Sequence, residues 1–152
     1  MIHAFRLAWT EMVLPILKRP KRLQVAALCY RDTAEGKRVL LITSRDTGRW
    51  IVPKGWPRDG RDGPRAALQE AWEEAGVRKA EIESDPVGFY YYAKGMTEGL
   101  TIPVEAQVYL TRVKELGEDY PEADVRKRAW FTPERAAELV EEPDLQDMLR
   151  AL

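Results

Sequence analysis

Apolar residues recur along this chain with two different periods, and the changes of period mark its elements. In the first 17 residues Ile2, Phe5, Trp9, Met12 and Ile16 recur at helical spacing, blurred by Leu7, Val13, Leu14 and Leu17 and interrupted by Pro15. A short irregular helical arm is expected there, packing on its own domain or on a sister subunit, which leaves a homodimer open. The basic run Lys18 to Arg22, broken by Pro20, reads as a solvated linker. Residues 1–21 are therefore expected to be an arm and linker, and 22–152 one folded domain.

From Leu23 the pattern becomes that of strands. Leu23 to Tyr30 and Val39 to Thr43 are apolar runs separated by a turn at Asp32 to Gly36, and a short strand at Trp50 to Val52 halts at Pro53. After a loop rich in Gly, Pro, Arg and Asp, the period turns helical over Pro64 to Ala75. Here Leu68, Ala71, Trp72 and Ala75, at i, i+3, i+4 and i+7, are expected to form the buried stripe. Val87 to Tyr92, Ile102 to Val113 and Arg126 to Phe131 read as further strands. Thr132 is an N-cap candidate ahead of Pro133 and Glu134, predicting a helix from Pro133 to Val140, and another is expected over Asp144 to Leu152. A β-rich order with helices inserted and appended predicts an α+β fold.

Composition narrows the function classes. At 152 residues, 45% hydrophobic and 32% charged, the chain fits one globular domain. Its net charge of -1 provides no overall cationic field for nonspecific nucleic-acid binding, so any basic site is local and no specific nucleic-acid partner is expected. The single cysteine, Cys29, sits in an apolar run and reads as a buried, inert thiol in a reducing, cytoplasmic setting. No apolar stretch approaches the roughly 20 residues that span a bilayer, and the first residues lack the apolar core of a signal peptide, so no membrane partner is expected. His3, the only histidine, gives little footing to a histidine-centred triad or a zinc site.

The chemistry is concentrated between Gly55 and Val77. At about 100° per residue, Glu70, Glu73 and Glu74 lie together on one helical face, where their repulsion calls for a neutralising cation. Oxygen ligands favour Mg²⁺ or Mn²⁺, and Mg²⁺ usually completes its octahedron with waters and substrate phosphates. The alternative is a solvated acidic face. Lys54, Arg58, Arg61 and Arg65 tip the balance, because they set four cations beside those carboxylates, among glycines that let backbone amides approach an anion. Metal and cationic donors around one cleft make a polyphosphate site. Gly76 is suited to end the helix in a left-handed conformation.

This segment resembles the Nudix box, G-x5-E-x7-R-E-U-x-E-E-x-G-U, where U is a bulky aliphatic residue. Gly55, Glu70, Glu73, Glu74, Gly76 and Val77 match at unbroken spacing, while Arg61, Gln69 and Ala71 stand where the family has Glu, Arg and a larger aliphatic residue. Beyond the box, Val25 to Arg31, Val39 to Arg45, Arg49 to Pro53 and Arg126 to Phe131 resemble strands of the diphosphoinositol polyphosphate phosphohydrolase branch. The resemblance implies a Nudix hydrolase domain over 22–152, with a mixed β-sheet between helices in an α/β/α sandwich. It also implies Mg²⁺ (or Mn²⁺) held by Glu70, Glu73, Glu74 and the Gly55 carbonyl.

The implied reaction is attack of water on a phosphoanhydride in a small phosphorylated substrate of the diphosphoinositol polyphosphate or dinucleoside polyphosphate type. Glu70 or Glu74 is the expected proton acceptor, and Lys54, Arg58, Arg61, Arg65, Arg126 and Arg128 the expected substrate ligands. Arg126 to Arg128 read equally well as an exposed strand edge, and Glu105 as either a solvated residue or an extra carboxylate near the metal. In the Tyr90 to Tyr92 run, core or edge packing is expected ahead of base stacking. A Nudix-fold sensor that binds a nucleotide or polyphosphate without cleaving it is the alternative, supported by Arg61 and Gln69.

Overall fold

A computed structural model describes residues 22–58, 61–95 and 99–152. The expected arm and most of the basic linker, including His3, lie outside the described residues. Eight strands and three helices follow in the order β1 (Leu23–Thr33), β2 (Gly36–Thr43), β3 (Trp50–Ile51), β4 (Lys54–Gly55), α1 (Gly63–Ala75), β5 (Val77–Ile82), β6 (Gly88–Gly95), β7 (Thr101–Leu116), β8 (Arg128–Phe131), α2 (Pro133–Leu139) and α3 (Pro143–Arg150).

The sheet is mixed. Its main path runs β3-β2-β1-β7-β5, with β4 also paired to β1, β6 to β7 and β8 to β2. β1 and β7 lie parallel, Leu23 opposite Glu105 and Tyr30 opposite Arg112, and every other pairing is antiparallel.

The apolar run of β1 follows from this position, because a strand covered on both faces has no polar side. Val25, Ala27 and Cys29 point into the core shared with α1, whereas Ala26 and Leu28 point into the one shared with α2 and α3. Helices on both faces give the expected α/β/α sandwich. Cys29 is fully buried, and burial pushes its thiol up to about 12. Thr132 caps α2 as predicted, its side chain accepting from the Arg135 N–H at 3.1 Å.

Three expectations need correction. The stripe of α1 that meets the sheet is Ala66, Ala67, Glu70, Ala71, Glu74 and Ala75, while Leu68 and Trp72 fall on its half-buried flank. Alanines let the helix lie close against the strands. The two larger side chains are displaced sideways, Trp72 towards Tyr120 at 6.3 Å between ring centroids. β5 was not anticipated: it is an edge strand in which only Val77 is fully buried, and its pairing with β7 is irregular. β4 was expected as loop, and its two residues are the ones that meet the acidic helix.

Candidate active site

Both ends of α1 are fixed by its own sequence. The Asp62 side chain accepts from the Arg65 N–H at 2.9 Å, and Gly76, at φ 74°, closes the last turn with its N–H on the Trp72 carbonyl at 3.0 Å. The helix thus holds Glu70 and Glu74 against β4, where they are only 4% and 7% exposed. A side chain at Gly55 would place its Cβ 2.3 Å from the Glu70 carboxyl carbon, so only glycine lets the two elements approach this closely. One step along β4, the Lys54 backbone N–H donates to Glu74 Oε1 at 3.2 Å.

Burial dominates the electrostatics of this pair. It pushes the Glu74 carboxyl up to about 8, overcoming the neighbouring Arg126 charge and the Lys54 N–H. Glu70 is also raised, by burial and then by the Glu73 charge, against the pull of Arg58. Burial lowers the Lys54 ammonium to about 8, although Glu74 acts in the opposite direction. Its Nζ stands 5.1 Å from the Tyr92 ring centroid.

Glu73 is engaged differently from the two buried glutamates. Glu73 turns towards Arg58, whose Nη2 reaches it at 3.0 Å and Glu70 at 3.5 Å, and its other oxygen accepts from Gln69. Gln69 in turn accepts from Arg61 Nη1 at 3.2 Å. Among the described residues, no three carboxylate, imidazole or thiol side chains converge tightly enough to hold a cation on their own.

An open cavity of about 690 Å³ lies over this seam, and Lys54, Gly55, Arg58, Glu70, Glu74 and Arg126 all line it. Arg126 is nearly buried, donating to the Thr43 carbonyl at 3.0 Å and Glu122 at 2.9 Å and standing 3.7 Å from Glu74. Arg61 borders a smaller adjoining recess with Trp56 and Arg58. Arg65 lies further out, in a shallow groove with Arg78 and Lys79. Arg128 is placed outside the cavity: its Nη1 donates to the Ala75 carbonyl at the end of α1, at 2.8 Å, and its guanidinium covers Tyr120. Glu105 also stays out of the cavity, accepting from the Tyr91 hydroxyl at 3.0 Å. Tyr90 is buried in the core and Tyr91 is exposed.

Sequence reasoning missed Glu122 and Gln24, which line the cavity, and Tyr92, which was expected to pack in the core or at a strand edge, lines it as well. Glu122 stands four residues before Arg126, a spacing that could have flagged the pair. Gln24 and Tyr92 come from β1 and β6, strands on either side of β7, and hydrogen-bond through the Tyr92 hydroxyl. No local pattern joins them.

The NUDIX domain model matches residues 21–152. The chain belongs to the Nudix family. It is 33% identical over 121 residues to human diphosphoinositol polyphosphate phosphohydrolase 3-alpha, covering 78% of this chain and 68% of that protein. Mouse diphosphoinositol polyphosphate phosphohydrolase 2 is 31% identical over 120 residues, covering 78% of this chain and 62% of its own length. These relatives place the chain among the Nudix-type hydrolases.

Among solved structures, the C. elegans Ap4A hydrolase superposes with a TM-score of 0.65 at 24% identity, covering 84% of this chain and 92% of that one. The NUDIX domain of Shewanella oneidensis NrtR, complexed with ADP ribose, gives 0.63 at 15% identity, with 95% and 94% covered. At these identities the likeness is one of fold, and it agrees with the α/β/α sandwich expected for this Nudix domain.

Proposed function

We propose that this Nudix domain is an Mg²⁺- or Mn²⁺-dependent hydrolase of phosphoanhydride bonds in substrates rich in phosphate, of the diphosphoinositol polyphosphate or dinucleoside polyphosphate type. The observation that carries the reading is the buried Glu70–Glu74 pair against the Gly55 backbone, open to a cavity that Lys54, Arg58 and Arg126 also line. Two buried carboxyls with raised pKa are short of positive charge, and their all-oxygen donor set suits a hard divalent cation. Glu70, Glu74 and the Gly55 carbonyl would hold it, with Glu122 close by and Glu73 available once Arg58 is drawn to substrate. Mg²⁺ keeps waters and takes substrate phosphates as ligands, so two carboxylates and one carbonyl would leave it the positions that a substrate needs.

Such a cation supplies polarisation of the phosphoryl oxygens and a lowered pKa for the attacking water. The chain's own groups do the rest. Lys54 and Arg58 hold the phosphates and offset their charge as it spreads in the transition state, with Arg61 assisting from the adjoining recess. Arg126, fixed by Glu122 and the Thr43 carbonyl, keeps Glu74 oriented. Glu70 or Glu74 accepts the proton of the attacking water. No helix among the described residues is long and apolar enough to cross a membrane.

The test is turnover of a panel of diadenosine polyphosphates, diphosphoinositol polyphosphates, nucleoside triphosphates and ADP-ribose across Mg²⁺ and Mn²⁺ titrations. Turnover that chelation abolishes, with the substrates richest in phosphate ahead of ADP-ribose at low ionic strength, supports the reading. Binding with no product at any metal concentration overturns it in favour of a sensor.

A further inference from the structure

Of the four tryptophans among the described residues, three have ring or cation partners. Trp50 meets Phe131 edge-on at 4.9 Å, Trp72 faces Tyr120, and Trp130 is covered by the Arg31 guanidinium at 4.0 Å. Trp56 has no such contact among the described residues, and 38% of its surface is exposed. Its location sets it apart. It directly follows β4 and lines both the large cavity and the adjoining recess, as do Arg58 and Glu70. An indole at a wet cavity mouth loses hydrophobic stabilisation unless something covers it. The charged groups beside it, Arg58 and the buried glutamates, suit phosphate with its counter-cation, while the exposed part of the indole offers an aromatic face to the same cavity.

We propose that Trp56 is the stacking platform for a nucleobase, and that it sets the preference of the cavity for nucleoside-bearing polyphosphates over inositol-based ones. This rests on the reading of the cavity as a phosphoanhydride site. The ligand that satisfies both halves of the mouth carries an aromatic ring next to its phosphate chain. Bases stack on aromatic side chains through a π-face that every nucleobase has and a phosphorylated inositol ring lacks. Arg58, beside Trp56, takes the phosphates that lead from the base towards Glu70 and Glu74.

The experiment compares the wild type, Trp56→Ala and Trp56→Phe on diadenosine tetraphosphate and on a diphosphoinositol polyphosphate, with thermal melts to confirm folding. The expected result is a rise in KM for the dinucleotide in Trp56→Ala at least about tenfold larger than any rise for the inositol substrate, largely rescued in Trp56→Phe. A second readout needs no turnover. In Mg²⁺, a diadenosine tetraphosphate analogue with methylene groups in place of its anhydride oxygens should quench a component of the wild-type tryptophan fluorescence that is missing in Trp56→Phe. Equal losses on both substrates, or quenching that survives in Trp56→Phe, overturn the proposal while leaving the hydrolase reading intact. A wild type that cleaves neither substrate but shows Trp56-dependent quenching defeats the hydrolase reading and keeps the platform. If quenching is absent as well, both fall.

Discussion

Arg58 Nη2 lies 3.0 Å from Glu73 Oε1, an ion pair that engages one of the three glutamates expected to hold a metal. The same nitrogen lies 3.5 Å from Glu70, so one guanidinium spans the acidic face. On the proposed function, a phosphate entering the cavity would compete for Arg58 and free Glu73.

Unequal glutamates follow from that arrangement. Glu70→Gln and Glu74→Gln should each lower kcat by roughly 10- to 100-fold or more, since groups that merely orient a metal's ligands already carry about 10- to 100-fold. Glu73→Gln should act mainly by raising the Mg²⁺ concentration needed for half-maximal turnover. Metal titrations of the three variants distinguish them. An equal collapse of kcat in all three would mean that Glu73 is as central as the buried pair.

The Gly55–Glu70 approach leads to a second expectation. In Gly55→Ala the new methyl must displace either the Glu70 carboxyl or the β4 backbone, and overpacking of this kind costs about 1–3 kcal/mol. The variant should melt several degrees lower and lose most of its turnover. Its Tm should also respond less to Mg²⁺ than that of the wild type. Wild-type stability and activity in Gly55→Ala would show that this seam is looser than the geometry describes.

How much of this was readable from the chain depends on whether the signal was local. Glu70, Glu73 and Glu74 announce themselves by spacing, and the helix carrying them was bounded by Pro64 and Gly76, although the Asp62 cap was not anticipated. A helical wheel gives relative angles, but the direction of the sheet comes from packing. That is why Leu68 and Trp72 were expected inside, and why the pairing of Glu73 with Arg58 and Gln69 went unseen. Glu122 and Arg126 reach Glu74 from a loop some 50 residues downstream, a juxtaposition set by tertiary structure. β5 has a single fully buried apolar residue to mark it, since an edge strand leaves much of its pattern polar.

A third expectation concerns pH in the absence of metal. Glu74 titrates near 4.5 when unfolded and about 8 when folded, so between these values the folded state holds the extra proton. Its contribution is fully present below about pH 4.5 and is lost as pH rises through 8. Lys54 runs the other way, its folded value lowered from 10.5 to about 8, so stability is regained between 8 and 10.5. In EDTA, melting temperatures should therefore pass through a local minimum near pH 8, which Glu74→Gln shifts or abolishes. Mg²⁺ should stabilise little well below pH 8 and increasingly as pH rises through it, because it binds the deprotonated pair. A flat profile from pH 5 to 10 in both proteins would contradict the assignment.

The two polar departures from the family's box are in contact. Gln69 stands where the family has Arg and Arg61 where it has Glu, and Arg61 donates to the same Gln69 that donates to Glu73. Gln69 cannot neutralise a carboxylate, but it can pass on the polarisation of the guanidinium behind it, so the positive charge has moved one residue outward. On this view each departure compensates the other, and reverting one alone is harmful. Arg61→Glu sets an acidic group behind Glu73 without a cation between them, whereas Gln69→Arg crowds a second guanidinium against Arg61. The double variant Arg61→Glu/Gln69→Arg restores the family's order of charges, and it should be closer to wild type in kcat/KM than the product of the single losses predicts. Contacting polar pairs typically couple by about 0.5–3 kcal/mol, or roughly 2- to 150-fold, which a double-mutant cycle resolves. If the single effects simply multiply, the two departures are independent, and Arg61 acts on the substrate alone.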